Sequence, residues 1–445
     1  YGEENDWCQR AIENGYQNIL VPNLFVYHKH GGSFPSELKQ KLLEENYQKL
    51  LQKHPTYDKQ VHDYIAKDSH KELRKLLIIT ASSSSSPLWV MFDHAIGGGA
   101  NHYADEVLER QKRANRNTLK IAYDYYTNEY KCNYHYKEYQ FEFIMSAMAD
   151  IEEFLNLCEI EELFLNSLVS YPEQKELLET FDRLSQREYL SLTIPIHDFF
   201  ALCPSYNLLN QDGNYCGVPD AQTCAVCMQQ SKQEWRNFFN DDVDILSWRE
   251  LWSKLLTRAQ TILCFSNSSK EIVQKAYPQI EESKFSVVPH SVSGIEKLTM
   301  PEKKSGEPFV IGVLGGINYA KGASVVKELV GLIERQNLNM KVVVIGEITE
   351  QIRGKHFQVT GRYKKSKLPA LIRQYKVDAF VIPSIWPETF SYTSQEVMNM
   401  DLPLVVFDIG APAERVKGYE KGYIVKGVNA QALLETIERE LVEKR

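Results

Sequence analysis

Short apolar runs alternate with segments of helical periodicity through most of the chain. In its first half, apolar runs at 88–93, 163–169 and 189–196 are separated by helical segments, and 139–149 adds another run of strand character. A short apolar run bounded by turn residues is typical of a strand that is buried on both faces. Strands that alternate with helices predict a doubly wound α/β sheet.

The same alternation resumes after a polar stretch. Residues 294–307 are polar and contain proline and lysines, which predicts a hinge. Beyond the hinge, strand-like runs follow at 309–316, 341–346, 377–383 and 404–408. We therefore expect two Rossmann-like, doubly wound domains, at 78–295 and 296–445, that face each other across a cleft.

The first 77 residues have a different character. Residues 37–77 place leucines among Lys, Glu and Gln at helical spacing, which predicts linker helices. The stretch 15–27 is strand-like, and the serine run at 82–86 predicts a loop or linker. We therefore treat 1–77 as a separate small domain.

The stretch 381–400 combines a strand end, a tight loop and a helix start. An apolar run ends at Pro383, and residues 389–393 then supply hydroxyl and backbone N–H groups where a helix should begin. A helix N-terminus binds anions. Glu388 and Glu396 lie on either side of it, so the helix would present both carboxylates along one edge. The alternative is an ordinary surface helix with two glutamates.

The order of these residues is similar to the signature of a known enzyme family. Pro383-Ser384, Glu388-Thr389-Phe390, Glu396 and the run 401–405 resemble the retaining glycosyl transferases group 1, or glycosyltransferase family four, which have the GT-B fold. The resemblance implies that Glu388 lies against the sugar of a nucleotide-diphosphate donor and that Glu396 binds its ribose. It also implies diphosphate contacts from the loop residues Thr389, Phe390, Ser391, Tyr392 and Thr393.

The resemblance extends to the turn after the first strand of the first domain. Residues 96–101 form a glycine-rich turn. The family has a glycine loop there that faces the cleft, which implies donor contacts from Gly98, Gly99 and Asn101. The alternative is a plain tight turn between a strand and a helix.

In the second domain, the corresponding turn contains Lys321, which matches a family lysine that clamps the diphosphate. Gly316 and Asn318 are further expected donor contacts, and they occupy the region where the family has an arginine, so the donor would meet one positive charge fewer. The resemblance places three further residues beside the nucleotide base: Gly361, Arg362 and Tyr363.

His197 follows the strand-like run 189–196, and ligands gather at the carboxyl ends of strands in such sheets. The resemblance implies a histidine here beside the donor sugar. The alternative is a structural histidine in the core whose hydrogen bonds are made within the protein. With Glu388 and Lys321, His197 completes the expected catalytic group.

Four cysteines follow His197 in sequence: Cys203, Cys216, Cys224 and Cys227. The last two have the spacing of a metal-binding pair, and four thiolates would close a tetrahedral, structural zinc site. The other spacings are loose, so free thiols or a disulfide stay open as alternatives.

A basic cluster follows the glycine turn and consists of Arg110, Lys112, Arg113, Arg116 and Lys120. Such a cluster is usually a solvated face. The alternative is a binding surface for a lipid-diphosphate acceptor near a membrane.

The opening residues resemble part of a second enzyme. Residues 1–11 and the strand-like segment after them resemble the closing part of a GT-A glycosyltransferase of family two, with Glu4 at the position of the catalytic base and His28 at that of a metal ligand. The rest of such a site is missing, so we expect a remnant without catalytic function. Because the chain opens inside this motif, we expect a piece of a longer polypeptide with other glycosyltransferase domains.

Composition narrows the range of functions. The 445 residues have a net charge of −8, which argues against a general nucleic-acid binder. Eight mostly unclustered cysteines fit a reducing cytoplasm, and no apolar run reaches the length of a membrane span. We expect a cytoplasmic protein, with peripheral contact at the inner face of the plasma membrane as an option.

The resemblance implies an activity. It is the retaining transfer of a hexosyl or deoxyhexosyl group from a nucleotide-diphosphate sugar to a growing glycan or lipid-linked glycan, with no cofactor required. A tandem of two glycosyltransferases suggests, by analogy, bacterial surface polysaccharide synthesis of the O-antigen, capsule or rhamnan type. The alternative is a degenerate, non-catalytic GT-B scaffold of a multi-domain polysaccharide synthase.

Overall fold

The computed structural model describes residues 2–19, 21, 24–27, 36–230 and 244–443, with the backbone alone described at 36–39. The chain divides into two compact units, Tyr1–Leu77 and Ile78–Arg445. Each unit has its own architecture, and the second contains two sheets with helices between their strands.

The first unit is helical in its described residues. The helices of the first 83 residues are α1 (Glu3–Glu13), α2 (Ser36–Lys53), α3 (Tyr57–Lys67) and α4 (Lys71–Ser83). His54, directly after α2, is buried and bonds to Asp6 and Glu13 of α1 at 3.0 and 2.7 Å. The hydrogen bond to Asp6, followed by the one to Glu13, raises the pKa of the His54 imidazole. This cluster fastens α1 to the end of α2.

The strand expected at 15–27 does not form in the described part of that stretch. A strand needs a neighbour for its backbone hydrogen bonds, and the described residues of the first unit contain none. The apolar side chains are therefore exposed, with Phe25 at 88 %. Glu4 is an exposed residue of α1, and His28 lies outside the described residues.

The serine run at 82–86 is not a linker over its first two residues, which belong to α4. Ser83 is buried, and its hydroxyl donates to the Thr80 carbonyl and accepts from the Glu159 backbone N–H at 3.1 Å. The prediction of a loop or linker is therefore wrong at 82–83, which are helical with Ser83 packed in the structure, whereas 84–86 form a turn between α4 and the first strand.

The first Rossmann-like domain has a mixed sheet. Its strands are β1 (Leu88–His94), β2 (Asn117–Asp124), β3 (Glu129–Tyr136), β4 (Tyr139–Met145), β5 (Ile160–Leu165), β6 (Ser191–Pro195), β7 (Thr261–Cys264) and β8 (Phe285–Val287). Their order is β4-β3-β2-β1-β5-β6-β7-β8. All of β1 is buried between two parallel neighbours, β2 and β5, which accounts for the apolar run that begins at Leu88.

Strands β2, β3 and β4 form an antiparallel meander at one edge of this sheet. Of these, the apolar pattern predicts only β4, within 139–149. Strand β3 was missed because buried and accessible residues alternate along it, so it has no continuous apolar run. The helices of this domain are α5 (Gly99–Arg113), α6 (Met148–Asn156), α7 (Gln174–Leu184), α8 (Ala221–Gln230), α9 (Ile245–Arg258) and α10 (Asn267–Ala276).

The second domain has a fully parallel sheet. Its strands are β9 (Phe309–Ile317), β10 (Met340–Ile348), β11 (Phe357–Val359), β12 (Ala379–Ile382), β13 (Leu404–Phe407) and β14 (Gly422–Val425), in the order β11-β10-β9-β12-β13-β14. Its helices are α11 (Ala323–Arg335), α12 (Leu368–Tyr375), α13 (Tyr392–Asn399), α14 (Gly410–Val416) and α15 (Ala430–Ile437), and a π-helical turn follows at Glu438–Val442.

Helices cover both faces of this second sheet. Ile311 and Val313 of β9 belong to a core shared with α11 and α15, whereas Val310 and Leu314 belong to a core shared with α12 and α13. Successive residues of one strand thus enter opposite cores, which confirms the doubly wound architecture. Among the described residues, no helix combines the length and apolar character needed to cross a membrane.

A glycine at the start of α11 offers a test of this packing. Gly322 has a φ of 84°, and a Cβ there would lie 2.0 Å from the Pro383 carbonyl oxygen, whereas Gly361 has a φ of 75° with nothing within 4 Å. We expect Gly361→Ala to lower the free energy of unfolding by about 1–2 kcal/mol, because the only penalty is the strain of a left-handed backbone. Gly322→Ala should lower it by more than about 4 kcal/mol, because the backbone must also move. Urea unfolding followed by circular dichroism measures both, and equal losses would show that the close approach is unimportant.

Candidate active site

Each sheet has one point at which the direction of strand addition reverses. The reversal lies between β1 and β5 in the first sheet and between β9 and β12 in the second. In open α/β sheets, ligands bind at this point, outside the carboxyl ends of the strands. The glycine turn follows β1, Lys321 follows β9 and Glu388 follows β12. These loops line one cavity of about 350 Å³ between the two domains, which we call the central cavity.

Glu388 is the buried carboxylate of the central cavity. It is 3 % exposed, accepts a hydrogen bond from the Ser384 hydroxyl and lies 3.4 Å from the Lys321 ammonium. The Lys321 backbone N–H donates to Asn318 Oδ1, so Asn318 shapes the turn that presents the lysine. The predicted pair of Glu388 and Lys321 therefore meets directly.

The loop 389–393 leads into α13 and crosses the cleft. Thr389 donates its hydroxyl hydrogen to the His197 carbonyl of the first domain at 2.7 Å. Ser391 is the N-cap of α13, and its hydroxyl accepts from the Ser394 backbone N–H. Phe390, Tyr392 and Thr393 line the central cavity, so the positive N-terminal end of α13 faces it.

Glu396 lies in an adjacent cavity of about 370 Å³, which we call the second cavity. It forms an ion pair of 3.2 Å with Lys365, a residue that sequence reasoning missed. Gly99 and Tyr392 line both cavities and so stand between them. Glu388 precedes α13 and Glu396 lies within it, so the two carboxylates serve neighbouring cavities rather than one common edge.

The glycine turn lies against Tyr392. A Cβ at Gly99 would come within 2.9 Å of the Tyr392 ring, so the absence of a side chain permits the close approach of the two domains. Gly98 lines the second cavity. The Asn101 side chain turns back instead, donating to Asp93 and to the His94 carbonyl and accepting from the Gly97 N–H.

His197 lies on the first-domain wall of the central cavity. Its ring stacks on Phe265 with centroids 4.7 Å apart, and His290 lies parallel to it at 5.8 Å. Burial, together with the nearby His290, lowers the pKa of His197 well below its ordinary value, so the imidazole is neutral. Burial also lowers the pKa of His290 to about 4.

Sequence reasoning missed His290, although its place three residues after β8, beyond the carboxyl edge of the sheet, was a usable signal. His290 Nδ1, Trp386 Nε1 and Tyr392 Oη are buried and have no hydrogen-bond partner within the described part of the chain. All three residues line the central cavity. Buried polar atoms normally have partners, so these atoms are suited to a polar ligand.

Several predicted donor residues lie away from the lining of both cavities: Gly316, Asn318, Gly361, Arg362 and Tyr363. Arg362 is exposed and pairs with Glu347 at 2.8 Å. Tyr363 packs against the core of the second sheet, and burial raises its pKa to about 12. Their predicted contacts with the nucleotide base stay predictions.

The zinc prediction gains no support from the four cysteines. Within the described ranges, no group of three or more His, Cys, Asp or Glu side chains is arranged to hold a metal ion. The Arg249 guanidinium lies 3.2 Å from Cys224 Sγ, which places a positive charge where a zinc ligand would need an open side. None of the four cysteines forms a disulfide within the described residues.

The basic cluster on and after α5 is largely neutralised. Lys112 pairs with Glu109, Arg116 pairs with acidic residues of β5, and Lys120 pairs with Asp93 and Asp105. This pairing favours a structural, solvated face over a lipid-diphosphate site.

Asp198 gives the cavity a titratable group near neutral pH. Burial raises the pKa of Asp198 to about 7, although its carboxylate accepts from the Phe200 N–H at 2.8 Å. An unfolded aspartate titrates near 3.9. The folded protein therefore holds this proton between about pH 4 and pH 7, and stability falls as pH rises through that interval.

Asp198→Asn keeps the acceptor for Phe200 but removes the titration. The variant should melt a few degrees above the unchanged protein at about pH 8, and the difference should vanish by about pH 4. Scanning calorimetry across this range measures it. A difference that stays constant with pH would show that Asp198 titrates normally.

Comparison with known proteins finds one matching family model and several solved structures of similar fold. Residues 295–444 match the family model described as glycosyl transferases group 1. The sucrose-phosphate synthase of Thermosynechococcus elongatus is similar in structure, with a TM-score of 0.51 and 13 % identity over 80 % of this chain and 90 % of that one. No curated protein matches the chain.

Two further structures align less closely. The catalytic domain of starch synthase IV from Arabidopsis thaliana, bound to ADP and acarbose, has a TM-score of 0.48 and 12 % identity over 80 % of this chain and 92 % of that one. The lipopolysaccharide outer core galactosyltransferase WaaB, in its apo form, has a TM-score of 0.49 and 11 % identity over 80 % and 90 %. The two doubly wound domains and the likeness to the sucrose-phosphate synthase show the GT-B fold, and the match at 295–444 to the glycosyl transferases group 1 supports a GT-B glycosyltransferase.

Proposed function

We propose that this protein transfers a hexosyl or deoxyhexosyl group from a nucleotide-diphosphate sugar to a glycan acceptor, with retention of configuration at the transferred carbon. One observation supports it above the others. Glu388, Lys321 and the N-terminus of α13 converge on the central cavity, and Glu396 lies in the cavity beside it. All of them fall within the segment that matches the family model.

The two cavities suggest how the donor would lie. The sugar occupies the central cavity beside Glu388 and His197, where polar atoms of Trp386 and Tyr392 that have no partner among the described residues suit sugar hydroxyls. The nucleoside occupies the second cavity, with its ribose at Glu396. The diphosphate spans the boundary between them at the N-terminus of α13, because backbone N–H groups and the helix dipole favour anions there.

The chemistry then follows from charge. Breaking the bond between the anomeric carbon and the diphosphate oxygen leaves negative charge on the departing diphosphate and positive charge on the sugar ring. The acceptor hydroxyl oxygen then bonds to that carbon, and its proton passes to the departing diphosphate. Lys321 and the N-terminal amides of α13 meet the first charge, and the Glu388 carboxylate meets the second. Groups held in place before the reaction stabilise developing charge without reorganising, which is usually the largest single catalytic contribution.

The acceptor is a growing glycan or a lipid-linked glycan of a bacterial surface polysaccharide in this proposal. The support is the resemblance of the opening residues to a second glycosyltransferase, which suggests several transferase domains in one polypeptide. A cytoplasmic enzyme at the inner face of the plasma membrane would fit that role.

A non-catalytic GT-B scaffold is the second candidate. The observation that favours it is the absence of the family arginine, whose region contains Gly316 and Asn318. Thermal-shift measurements with UDP-, GDP- and dTDP-sugars, followed by a transfer assay with the stabilising donor, separate the two. Donor binding without any transfer to a glycan acceptor would favour the scaffold.

The two glutamates should have opposite kinetic effects. Glu388→Gln removes a charge that acts mainly in the transition state, so it should lower kcat about 100- to 1000-fold and leave nucleotide affinity nearly unchanged. Glu396→Gln should weaken nucleotide binding through the lost ribose contact. Calorimetric titration with the preferred nucleotide and steady-state kinetics measure both effects. Near-normal turnover by Glu388→Gln would refute the mechanism.

Lys321 should matter both for binding and for turnover. The ammonium would contact the diphosphate in the ground state and in the transition state, so Lys321→Ala should weaken donor binding and slow transfer about tenfold or more. Lys327→Ala is the matched control, since Lys327 of α11 forms a surface ion pair with Glu350. Equal effects of the two variants would mean that Lys321 acts only through general surface charge.

A further inference from the structure

Asp93 is a buried carboxylate that the proposed chemistry does not use. It lies near the carboxyl end of β1 and is completely buried. Its two oxygens accept hydrogen bonds from the side-chain amides of Asn101, at 2.7 Å, and Asn166, at 2.9 Å. The Lys120 ammonium lies 3.1 Å away. A buried charge requires such partners, and here two of them lead to the wall of the central cavity.

The orientation of the Asn166 amide follows from its neighbours. Asn166 Nδ2 faces Asp93 Oδ1 at 2.9 Å and the Ala100 carbonyl at 3.1 Å. A carboxylate and a carbonyl only accept hydrogen bonds, so the nitrogen of the amide must point toward them. The opposite end, Oδ1, can therefore only accept, and it lies 2.9 Å from His197 Nε2.

The same reasoning fixes the histidine. A ring nitrogen that faces an acceptor must carry a hydrogen, so Nε2 of the neutral His197 ring is protonated and Nδ1 is not. We propose that Asp93 and Asn166 are positioning residues that hold His197 as its Nε2–H tautomer. Stacking of the ring on Phe265 keeps it from turning to another partner.

The consequence for substrate binding rests on the proposed function. With Nε2 committed to Asn166, the Nδ1 lone pair is the one position at which the His197 ring can hydrogen-bond a ligand, and it can only accept. A substrate hydroxyl would donate its hydrogen to Nδ1. A histidine that exchanged between its two tautomers would present Nδ1 as a hydrogen-bond acceptor only part of the time.

Through its hydrogen bonds to Asn101 and Asn166, Asp93 orients residues on two walls of the central cavity. Asn101 uses its amide nitrogen for Asp93 and the His94 carbonyl, and its oxygen for the Gly97 N–H of the glycine turn. One carboxylate thus orients two asparagines, of which one holds the glycine turn and the other holds the histidine. These hydrogen bonds give a role to a buried carboxylate on β1, next to the point at which the strand order of the first sheet reverses.

The tautomer can be read directly by nuclear magnetic resonance. In the full chain labelled with ¹⁵N-histidine, long-range proton–nitrogen correlations distinguish protonated from unprotonated ring nitrogens, and loss of signals in His197→Gln assigns the residue. We expect protonated Nε2 and unprotonated Nδ1 for His197. A protonated Nδ1, or averaging between the two tautomers, would overturn the proposal.

Variants test whether Asn166 and Asp93 cause the preference. Asn166→Ala should allow both tautomers of His197. Asp93→Asn removes the carboxylate that faces Asn166 Nδ2 but leaves the Ala100 carbonyl, so it should weaken the preference for the Nε2–H tautomer less than Asn166→Ala does. Asn117→Ala is the control, because Asn117 is a buried asparagine of β2 that donates to the Ser86 carbonyl away from His197. If Asn166→Ala leaves the His197 spectrum unchanged, the proposal fails, even if Asp93→Asn does not fold.

Kinetics separate positioning from general stability. Asn166→Ala should lower kcat about tenfold, the value of one lost hydrogen bond, with nucleotide affinity unchanged because Glu396 and the second cavity are untouched. Unchanged kcat would overturn the positioning role. If the protein without substitutions shows no transfer with any donor, the proposed function fails, and the magnetic resonance spectra alone then decide the tautomer of His197.

Discussion

Each half of the cleft is built around a buried carboxylate that has to be satisfied. Asp93 in the first domain and Glu388 in the second are almost completely removed from solvent. An isolated charge in such a place would cost several kcal/mol, so each carboxylate needs partners held at fixed distances. Those partners are the loops of the cleft: the asparagines after β1 and β5 for Asp93, and Ser384 and Lys321 for Glu388. Satisfying the charges therefore fixes the shape of the cavity.

The two domains meet at the cleft through a glycine–tyrosine contact, a hydrogen bond and a carboxylate that binds backbone amides. Gly99 admits the Tyr392 ring, and Thr389 donates across the cleft to the His197 carbonyl. On another side, the Glu414 carboxylate of α14 accepts from the backbone N–H groups of Asn267 and Ser268 at 3.0 and 2.7 Å. These amides are the first of α10, so the carboxylate also meets the positive end of that helix.

The parallel sheets and the loop 389–393 could be predicted because central parallel strands are apolar throughout and their carboxyl ends collect ligand-binding residues. The edge meander was harder, since β3 exposes alternate residues and lacks that pattern. Lys365 and Asn166 were missed for another reason. Lys365 begins a short 3-10 helix and Asn166 directly follows β5, and each is far from its partner in sequence, so only folding brings Lys365 to Glu396 and Asn166 to His197. A single sequence contains no signal for such pairs.

The missing arginine is best judged against the charges that the cleft does contain. Lys321 pairs with Glu388 and Lys365 with Glu396, so each cavity contains an ammonium paired with a glutamate. Both lysines are partly exposed, but the side chains of Glu388 and Glu396 are only 4 % and 13 % exposed, so a carboxylate that loses its lysine needs another partner. A diphosphate could attract either ammonium away from its glutamate when the bound donor supplies that partner. In the proposed complex this exchange would also release Glu396 for the ribose and leave Glu388 facing the sugar. Two lysines on separate loops would thus supply the positive charge that the family places on one turn.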